Sequence, residues 1–309
     1  MINVTNVAKK AVAPLTGILL LLFVVMSFAG YRILRANAPS PSQSAQANPT
    51  HSPGTADNKT PQPVSTPPPT TPGTANVLFS DLLDGPDRIV TNEYSYWSKQ
   101  ACPYASNKWD MTSGTLMVKN GAGYSGVPTV ESSSVCQSAK ANNSAIFRLN
   151  TKDFSFGNTT TSLDFLLVQH GGDDAPVNSY DGLHIWVRYQ SQYALYSVTV
   201  SRWDGTVDIK KKVPVAIAHC DRPANDGCYY DLVAQIKRPD LAQGKAWHHA
   251  DIMTTDDAKG AVHILLKIDG AVVLSAVDAA PGPAYHTGAV GVRGDNTEFY
   301  FKNFTVTSS

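Results

Sequence analysis

The chain has 309 residues, 25 basic and 25 acidic side chains, a charged fraction of 16% and four cysteines. The balanced charge argues against a dedicated nucleic-acid surface, which needs a clustered excess of Lys and Arg. Composition divides the chain into three parts. Residues 1–35 contain a long apolar stretch, residues 36–75 are rich in Pro, Ser and Thr, and residues 76–309 form the remainder.

The first part contains an uncharged stretch, residues 11–31. About 20 such residues cross the apolar core of a bilayer as a helix. We therefore expect residues 1–35 to form a cytoplasmic tip and a single transmembrane anchor, with the C-terminal domain outside the cell membrane. The alternative is a cleaved secretory signal ending at Ala36-Asn37-Ala38, although Pro39 follows that site directly. In that case the domain is secreted.

The second part, residues 36–75, consists largely of Pro, Ser, Thr, Ala, Gln and Asn. It has too few large apolar side chains to offset the entropy lost on ordering. The composition predicts a disordered, extended linker. We expect a plain spacer; the alternative, a glycosylated stalk or wall-crossing stem, also fits this composition.

All four cysteines fall in the third part, residues 76–309. In an exported domain four cysteines indicate two disulfides, for which three pairings exist. We favour Cys102–Cys136 and Cys220–Cys228, because the second pair closes a short, turn-rich loop. A zinc site is the alternative, but no Cys-x-x-Cys spacing is present.

The third part carries β patterns. Apolar residues alternate with polar or outward-facing ones along 183–189, which is the period of a strand with one buried face. Asp204-Gly205 and Asp269-Gly270 are typical of hairpin turns. No long amphipathic helix pattern follows residue 76. The pattern predicts an all-β sandwich or barrel.

Several landmarks of this part resemble the concanavalin A-like lectin and glucanase superfamily, which includes laminin-G-like modules. They are Asp181-Gly182-Leu183, Ile268-Asp269-Gly270 and Phe301-Lys302-Asn303-Phe304. The resemblance implies a two-sheet antiparallel jelly-roll sandwich. It does not imply an activity, because this architecture hosts many functions. A structural calcium often joins the first and last strands of such folds, and Asp81 and Asp295 could supply oxygens. No cofactor is assigned on that basis.

The glucanases of this group carry their catalytic carboxylates as Glu-x-Asp-x-(x)-Glu on one strand. This chain has only Glu93, Glu131 and Glu298, and none fits that motif. Alginate lyases of similar fold use Gln-x-His, whereas Gln169-His170 is adjacent and would point to opposite faces. Catalytic residues therefore stay unassigned.

The candidate binding residues lie around the predicted central strand. His184, Trp186 and Arg188 share its face opposite the core and could line a groove, with Lys210 and Lys212 from a later strand adding positive charge. Two further aromatic residues, Trp203 at a hairpin tip and Tyr180 before Asp181-Gly182, are candidates for stacking on sugar rings. The other tryptophans, Trp97, Trp109 and Trp247, are assigned to the core.

These patterns favour a membrane-anchored, extracellular, lectin-like domain that binds a glycan as a monomer and without cleaving it. An acidic glycan would suit the predicted cationic groove. One alternative is a polysaccharide lyase or atypical glycosidase that acts on an acidic polysaccharide. A second alternative is a protein-binding module of the laminin-G type.

Overall fold

The structure is a computed structural model, and it describes residues 75–99, 102–129, 136, 142–172, 176–214, 223–224, 227–228, 230–242, 244, 246–280 and 282–309. The predicted anchor and most of the predicted linker lie outside these ranges. No helix within them is long and apolar enough to cross a bilayer.

Strands are the main secondary structure of the described residues. The strands are β1 Val77–Asp81, β2 Arg88–Asn92, β3 Trp109–Ser113, β4 Thr115–Lys119, β5 Ala122–Tyr124, β6 Val127–Thr129, β7 Asn142–Ser144, β8 Ile146–Thr151, β9 Thr159–His170, β10 Gly182–Ser191, β11 Ala194–Arg202, β12 Thr206–Lys212, β13 Pro223–Ala224, β14 Gly227–Cys228, β15 Asp231–Lys237, β16 Trp247–Asp256, β17 Val262–Ile268, β18 Ala271–Val277, β19 Ala289–Asp295 and β20 Thr297–Ser308. One helical turn, α1, spans Glu93–Tyr96, and a 3₁₀ turn spans Pro239–Leu241.

Two large antiparallel sheets contain most of these strands. The nine-stranded sheet has the order β18-β17-β16-β9-β20-β5-β4-β2, with β1 also paired to β20. The seven-stranded sheet has the order β15-β12-β11-β10-β19-β8-β3. This confirms the all-β, two-sheet antiparallel architecture that the resemblance to the concanavalin A-like superfamily implies.

The core lies between the two sheets. Leu183, Ile185 and Val187 of β10 are all buried, as their alternation predicts. Aromatic rings from opposite sheets meet there edge to face: Phe147 of β8 lies 5.3 Å from Phe299 of β20, measured between ring centroids. Burial of these large rings supplies much of the apolar stabilisation.

The two predicted hairpin turns are present. Gly205 and Gly270 have φ angles of +72° and +79°, in the left-handed region that glycine enters without steric cost. They join β11 to β12 and β17 to β18, which are antiparallel pairs; the second pair has a register shift between Leu266 and Lys267.

One of the two expected disulfides lies within the described residues. Cys102 and Cys136 are bonded, with Cα atoms 5.7 Å apart, which confirms that pairing. Cys220 lies outside the described residues, so the Cys220–Cys228 pairing stays a prediction.

Two of the three tryptophans assigned to the core are exposed instead. Trp109 is fully buried, but Trp97 and Trp247 are 56% and 41% exposed. Trp97 follows α1 and donates its indole N–H to the carbonyl of Thr112. Trp247 begins β16, where the Lys302 ammonium lies 4.5 Å from its ring centroid. Both rings therefore cover the surface of a sheet rather than its interior.

Candidate functional site

A hollow of about 370 Å³ opens on the outer face of the seven-stranded sheet, opposite the core. We call it the sheet hollow. Its lining consists of Tyr180, His184, Ser197, Lys210, Tyr230, Arg293 and Asp295. The central strands β10, β11, β12 and β19 supply five of these seven residues, so a hydrogen-bonded sheet holds most of the lining in place.

Tyr180 forms an exposed rim. It precedes β10 and is 59% exposed, and it also lines a neighbouring hollow of about 300 Å³. The two hollows share Tyr180, Arg293 and Asp295. An exposed tyrosine between two adjoining hollows offers one apolar ring face and one hydroxyl to a ligand.

Arg293 and Asp295 form an ion pair at the base of the sheet hollow. They are two residues apart on β19, so their side chains share a face. The guanidinium Nε donates to Oδ1 of Asp295 at 2.8 Å, and Nη2 lies 2.7 Å from the same oxygen. Burial alone would raise the pKa of Asp295, but the Arg293 charge and then His184 outweigh it and hold that pKa below its usual range. Asp295 is therefore ionised at neutral pH.

His184 is hydrogen-bonded through one ring nitrogen, and its other ring nitrogen faces a carboxylate. Nε2 lies 3.3 Å from Oδ2 of Asp295, and Nδ1 lies 2.8 Å from the hydroxyl of Thr199. The Thr199 hydroxyl donates to Asp208. Because that hydroxyl has a single proton, its oxygen must accept from Nδ1–H of His184. Asp208, Thr199 and His184 thus form a relay that leaves Nε2 as the ring atom facing Asp295.

Lys210 supplies the more accessible positive charge. Its ammonium lies 2.7 Å from Asp208, which Arg202 also contacts at 3.1 Å. The Lys210 side chain is 23% exposed, whereas Asp208 is 1% exposed. The Asp208 carboxylate therefore pairs with two cations, Arg202 and Lys210. Of these two, Lys210 lines the sheet hollow.

Trp186 does not line the hollow, which corrects the prediction that its indole opens into an accessible groove. It is 1% exposed and stacks on Tyr189 at 5.1 Å between centroids. The Arg293 guanidinium lies 5.7 Å from its ring, and Tyr230 packs against the same cluster. The face of the sheet was predicted correctly, but other side chains cover the ring.

Arg188 does not share the face of His184 and Trp186, so that part of the prediction is wrong. It has a φ angle of +49° within a β-bulge, and it is 1% exposed. Its guanidinium bonds to Asp256 on the other sheet and to the carbonyl of Tyr285. The bulge shifts the alternation, and Tyr189 takes the outer face instead.

Trp203 is exposed, as expected for a hairpin tip, but lines a separate pocket. It is 42% exposed and lies beside His170, Gln169 and Ala242. Of the predicted binding residues, the sheet hollow therefore brings together Tyr180, His184 and Lys210.

Sequence reasoning missed Arg293 and Asp295 as members of one site with His184. A signal was available, because Val290 and Val292 face the core and the residues between and after them must face outward. Tyr230 had no comparable signal, since it lies just before an edge strand.

The two residues considered for calcium have separate partners. Asp81 accepts the indole N–H of Trp109 at 2.7 Å, and Asp295 is bound by Arg293. Within the described ranges no group of three His, Cys, Asp or Glu side chains is placed to hold a metal ion.

Comparison with known proteins gives fold-level similarities only. No family model and no curated protein matches the chain. The chain is similar to a carbohydrate-binding module (CBM66) of Bacillus subtilis, at 15% identity and a TM-score of 0.43 over 67% of this chain and 100% of that one. It is also similar to a galectin-like protein of unknown function from Bacillus subtilis, at 12% identity and a TM-score of 0.43 over 76% and 98%. Porphyranase B of Zobellia galactanivorans aligns at 9% identity and a TM-score of 0.40 over 78% and 98%. At identities and TM-scores this low, the similarities give this chain neither a family nor an activity.

Proposed function

We propose that this chain is an exported carbohydrate-binding protein whose jelly-roll domain holds an acidic glycan in the sheet hollow without cleaving it. One observation carries the proposal: an exposed aromatic rim, Tyr180, and a partly exposed cation, Lys210, line one hollow on a sheet face. Ligand sites combine such an apolar wall with a few fixed polar groups.

The polar lining suits a sugar that carries a carboxylate or sulfate. Lys210 and Arg293 present N–H donors for an anionic group, and Ser197 adds a hydroxyl. Arg293 is oriented by Asp295 and by a 3.3 Å hydrogen bond to the Tyr230 hydroxyl. A preformed donor set of this kind reduces the ordering that binding requires.

The carboxylates of the site favour binding over hydrolysis. Glycoside hydrolysis ordinarily uses two carboxyl groups, one of them a proton donor. Asp295 is ionised and clamped by Arg293, so it is a poor donor. Asp181 lines the neighbouring hollow, and burial raises its pKa, but it is 1% exposed and accepts hydrogen bonds from Asn178 and Asn296. These contacts favour a structural role for Asp181.

A glycan array with the full-length protein tests the proposal. We expect binding to oligosaccharides that contain uronate or sulfate, and Lys210→Ala should weaken it about tenfold, as expected for loss of one central charged contact. The variant should fold, because Asp208 keeps its contact with Arg202. Lys259→Ala, in the exposed turn before β17, is the control. If folded protein binds no acidic glycan above background, the proposal is wrong.

A lyase is the second candidate, and the His184 relay favours it. Hydrogen bonds from His184 to Thr199 and from Thr199 to Asp208 orient the imidazole, as a third group orients the general base in many enzymes. Tyr180 and Tyr230 line the same hollow, and either hydroxyl could act as the acid. Release of unsaturated uronate, followed by ultraviolet absorbance and abolished in His184→Ala, would establish this activity. Binding without any such release would support the non-catalytic function.

Anchoring at the membrane is part of the proposal and rests on residues 11–31 and the Pro-rich linker. The full-length protein should pellet with membranes and resist alkaline extraction, while added protease should release the C-terminal domain from intact cells. Deletion of residues 1–35 should abolish membrane association. Recovery of a processed protein that starts near residue 39 from the medium would show that the segment is a cleaved signal.

A further inference from the structure

A second pocket, separate from the sheet hollow, lies beside the β11–β12 turn. This Trp203 pocket has a volume of about 270 Å³ and is lined by Leu167, Gln169, His170, Trp203 and Ala242, among others. It shares no lining residue with the sheet hollow. Its walls come from the end of β9 in one sheet and from a turn of the other.

The backbone that presents Trp203 is held from two sides. The Trp203 amide donates to the carbonyl of Asp181 at 2.9 Å, and the Arg238 amide donates to the carbonyl of Gly205 at 2.7 Å. A Cβ added to Gly205 would meet Cα of Pro239 at 2.9 Å, so the turn packs tightly on the following segment. A ring fixed in this way loses little conformational entropy when a ligand binds.

His170 supports the ring from the side. The two rings meet edge to face, with centroids 5.7 Å apart. One nitrogen of His170 contacts the hydroxyl of Thr297 and the other the carbonyl of Ala242, both at 3.0 Å. Burial lowers the pKa of His170, so its imidazole is neutral at neutral pH. Trp203 nevertheless remains 42% exposed.

The chemistry of this pocket differs from that of the sheet hollow. No lining residue carries a formal charge, and Gln169 offers an exposed amide beside the indole. An aromatic face next to one amide matches the apolar C–H face and the hydroxyls of an uncharged sugar. We infer that the Trp203 pocket is a second sugar subsite, which takes a neutral pyranose ring stacked on Trp203. This inference rests on the pocket's own residues and does not require an acidic ligand in the sheet hollow.

Calorimetry with the full-length protein and neutral gluco-, galacto-, manno- and xylo-oligosaccharides tests the inference. We expect at least one of these probes to bind, and Trp203→Ala to weaken its binding about tenfold, the loss typical of an aromatic anchor. Trp97→Ala is the matched control, because Trp97 is 56% exposed, bonds to Thr112 of β3 and does not line the pocket. Lys210→Ala should leave binding of the neutral probe unchanged.

Oxidative footprinting gives a readout that does not depend on a variant. N-bromosuccinimide should oxidise the exposed Trp97, Trp203 and Trp247 in the free protein, and the bound neutral probe should protect Trp203 while Trp97 stays reactive. Failure of every neutral probe to bind, or equal oxidation of Trp203 with and without the bound probe, overturns the inference. Loss of acidic-glycan binding in Lys210→Ala with no neutral binding would leave the sheet hollow as the binding site and refute the second subsite.

Discussion

Arg188 occupies the point where the regular alternation of β10 breaks. Its left-handed φ angle of +49° turns its side chain away from the face of Trp186 and towards the opposite sheet. There the guanidinium donates to Asp256, to the carbonyl of Tyr285 and to Asn158. Bulges commonly re-aim a side chain in this way. One residue thus joins the two sheets and also places Tyr189 against Trp186.

Removal of this buried guanidinium should destabilise the domain. Arg188→Ala leaves the Asp256 carboxylate and the Tyr285 carbonyl without their donor, and we expect the free energy of unfolding to fall by about 3 kcal/mol. Urea denaturation followed by tryptophan fluorescence measures this. Arg238→Ala, which breaks an exposed pair with Asp240, should cost less than about 1 kcal/mol. Equal losses in the two variants would contradict the proposed role of Arg188.

His249 is the residue whose charge should respond to pH most directly. It lies opposite Asp164 on the β9–β16 ladder, with Nδ1 2.7 Å from that carboxylate and Nε2 3.2 Å from Asp251. Partial burial lowers the pKa of His249, but the two carboxylates outweigh it and raise that pKa above its ordinary value.

The raised pKa of His249 has a defined effect on stability. The folded state holds the proton more tightly than the unfolded state, so the stabilisation is fully present below about pH 6.5, the unfolded value. It is lost as pH rises through the raised folded pKa. An NMR titration of His249 should give a pKa above that of a free histidine, and Asp164→Asn should lower it. A His249 midpoint at or below the free value would show that the carboxylates do not act on it.

At the scale of elements, the two Asp-Gly hairpins have the same local chemistry but different surroundings. Both glycines are left-handed, but a Cβ at Gly205 would approach Pro239, whereas a Cβ at Gly270 would have no atom within 4 Å. The β11–β12 turn is therefore packed against a following segment at its glycine, whereas the space beside Gly270 is open.

Paired glycine substitutions separate these two effects. Gly270→Ala should cost about 1–2 kcal/mol in the free energy of unfolding, the cost of a left-handed φ for an L-residue. Gly205→Ala should cost more, because the added methyl group also pushes Pro239 away. It should also shift the fluorescence of Trp203, two residues before it. Equal costs for the two variants would mean that the turn does not pack as described.

At the scale of the whole molecule, covalent and ionic links tie distant parts of the chain together. Lys211 of β12 lies within the core, where its ammonium contacts Asp278 at 2.8 Å and the rings of Tyr196 and Tyr285 lie close by. This buried pair links the seven-stranded sheet to the segment after β18. The Cys102–Cys136 disulfide closes a loop of 34 residues beside α1.

The disulfide should contribute measurably to stability. A bond that closes a loop of this length restricts the unfolded chain, and its removal typically costs about 2–4 kcal/mol. Cys102→Ser should therefore lower the urea midpoint and raise the slope, because the unfolded chain without the bond is less compact. Peptide mapping under non-reducing conditions provides the independent check. If Cys102 and Cys136 are recovered as free thiols from protein purified without reductant, the pairing is wrong.

The candidate site was only partly predictable. Tyr180 could be predicted from the sequence because it precedes the turn residues Asp181-Gly182. His184 could be predicted because the alternation along 183–189 places it on the face opposite the core. Arg293 and Asp295 belong to β19, which pairs with β10. The paired residues, such as His184 and Arg293, are more than a hundred positions apart in the sequence. Nothing local to either strand encodes that pairing, so their contact with His184 emerges only in the sheet.

The sequence by itself determined the strands, the glycine turns and the all-β class, because alternation and left-handed turn residues are local properties of the chain. The tertiary structure decided that Trp186 is covered, that Arg188 crosses to the other sheet and that Trp203 has a pocket of its own. Each of these outcomes depends on side chains brought together by pairing of distant strands and by one bulge. Such contacts are set by packing of the whole sandwich, and no short stretch of residues contains them.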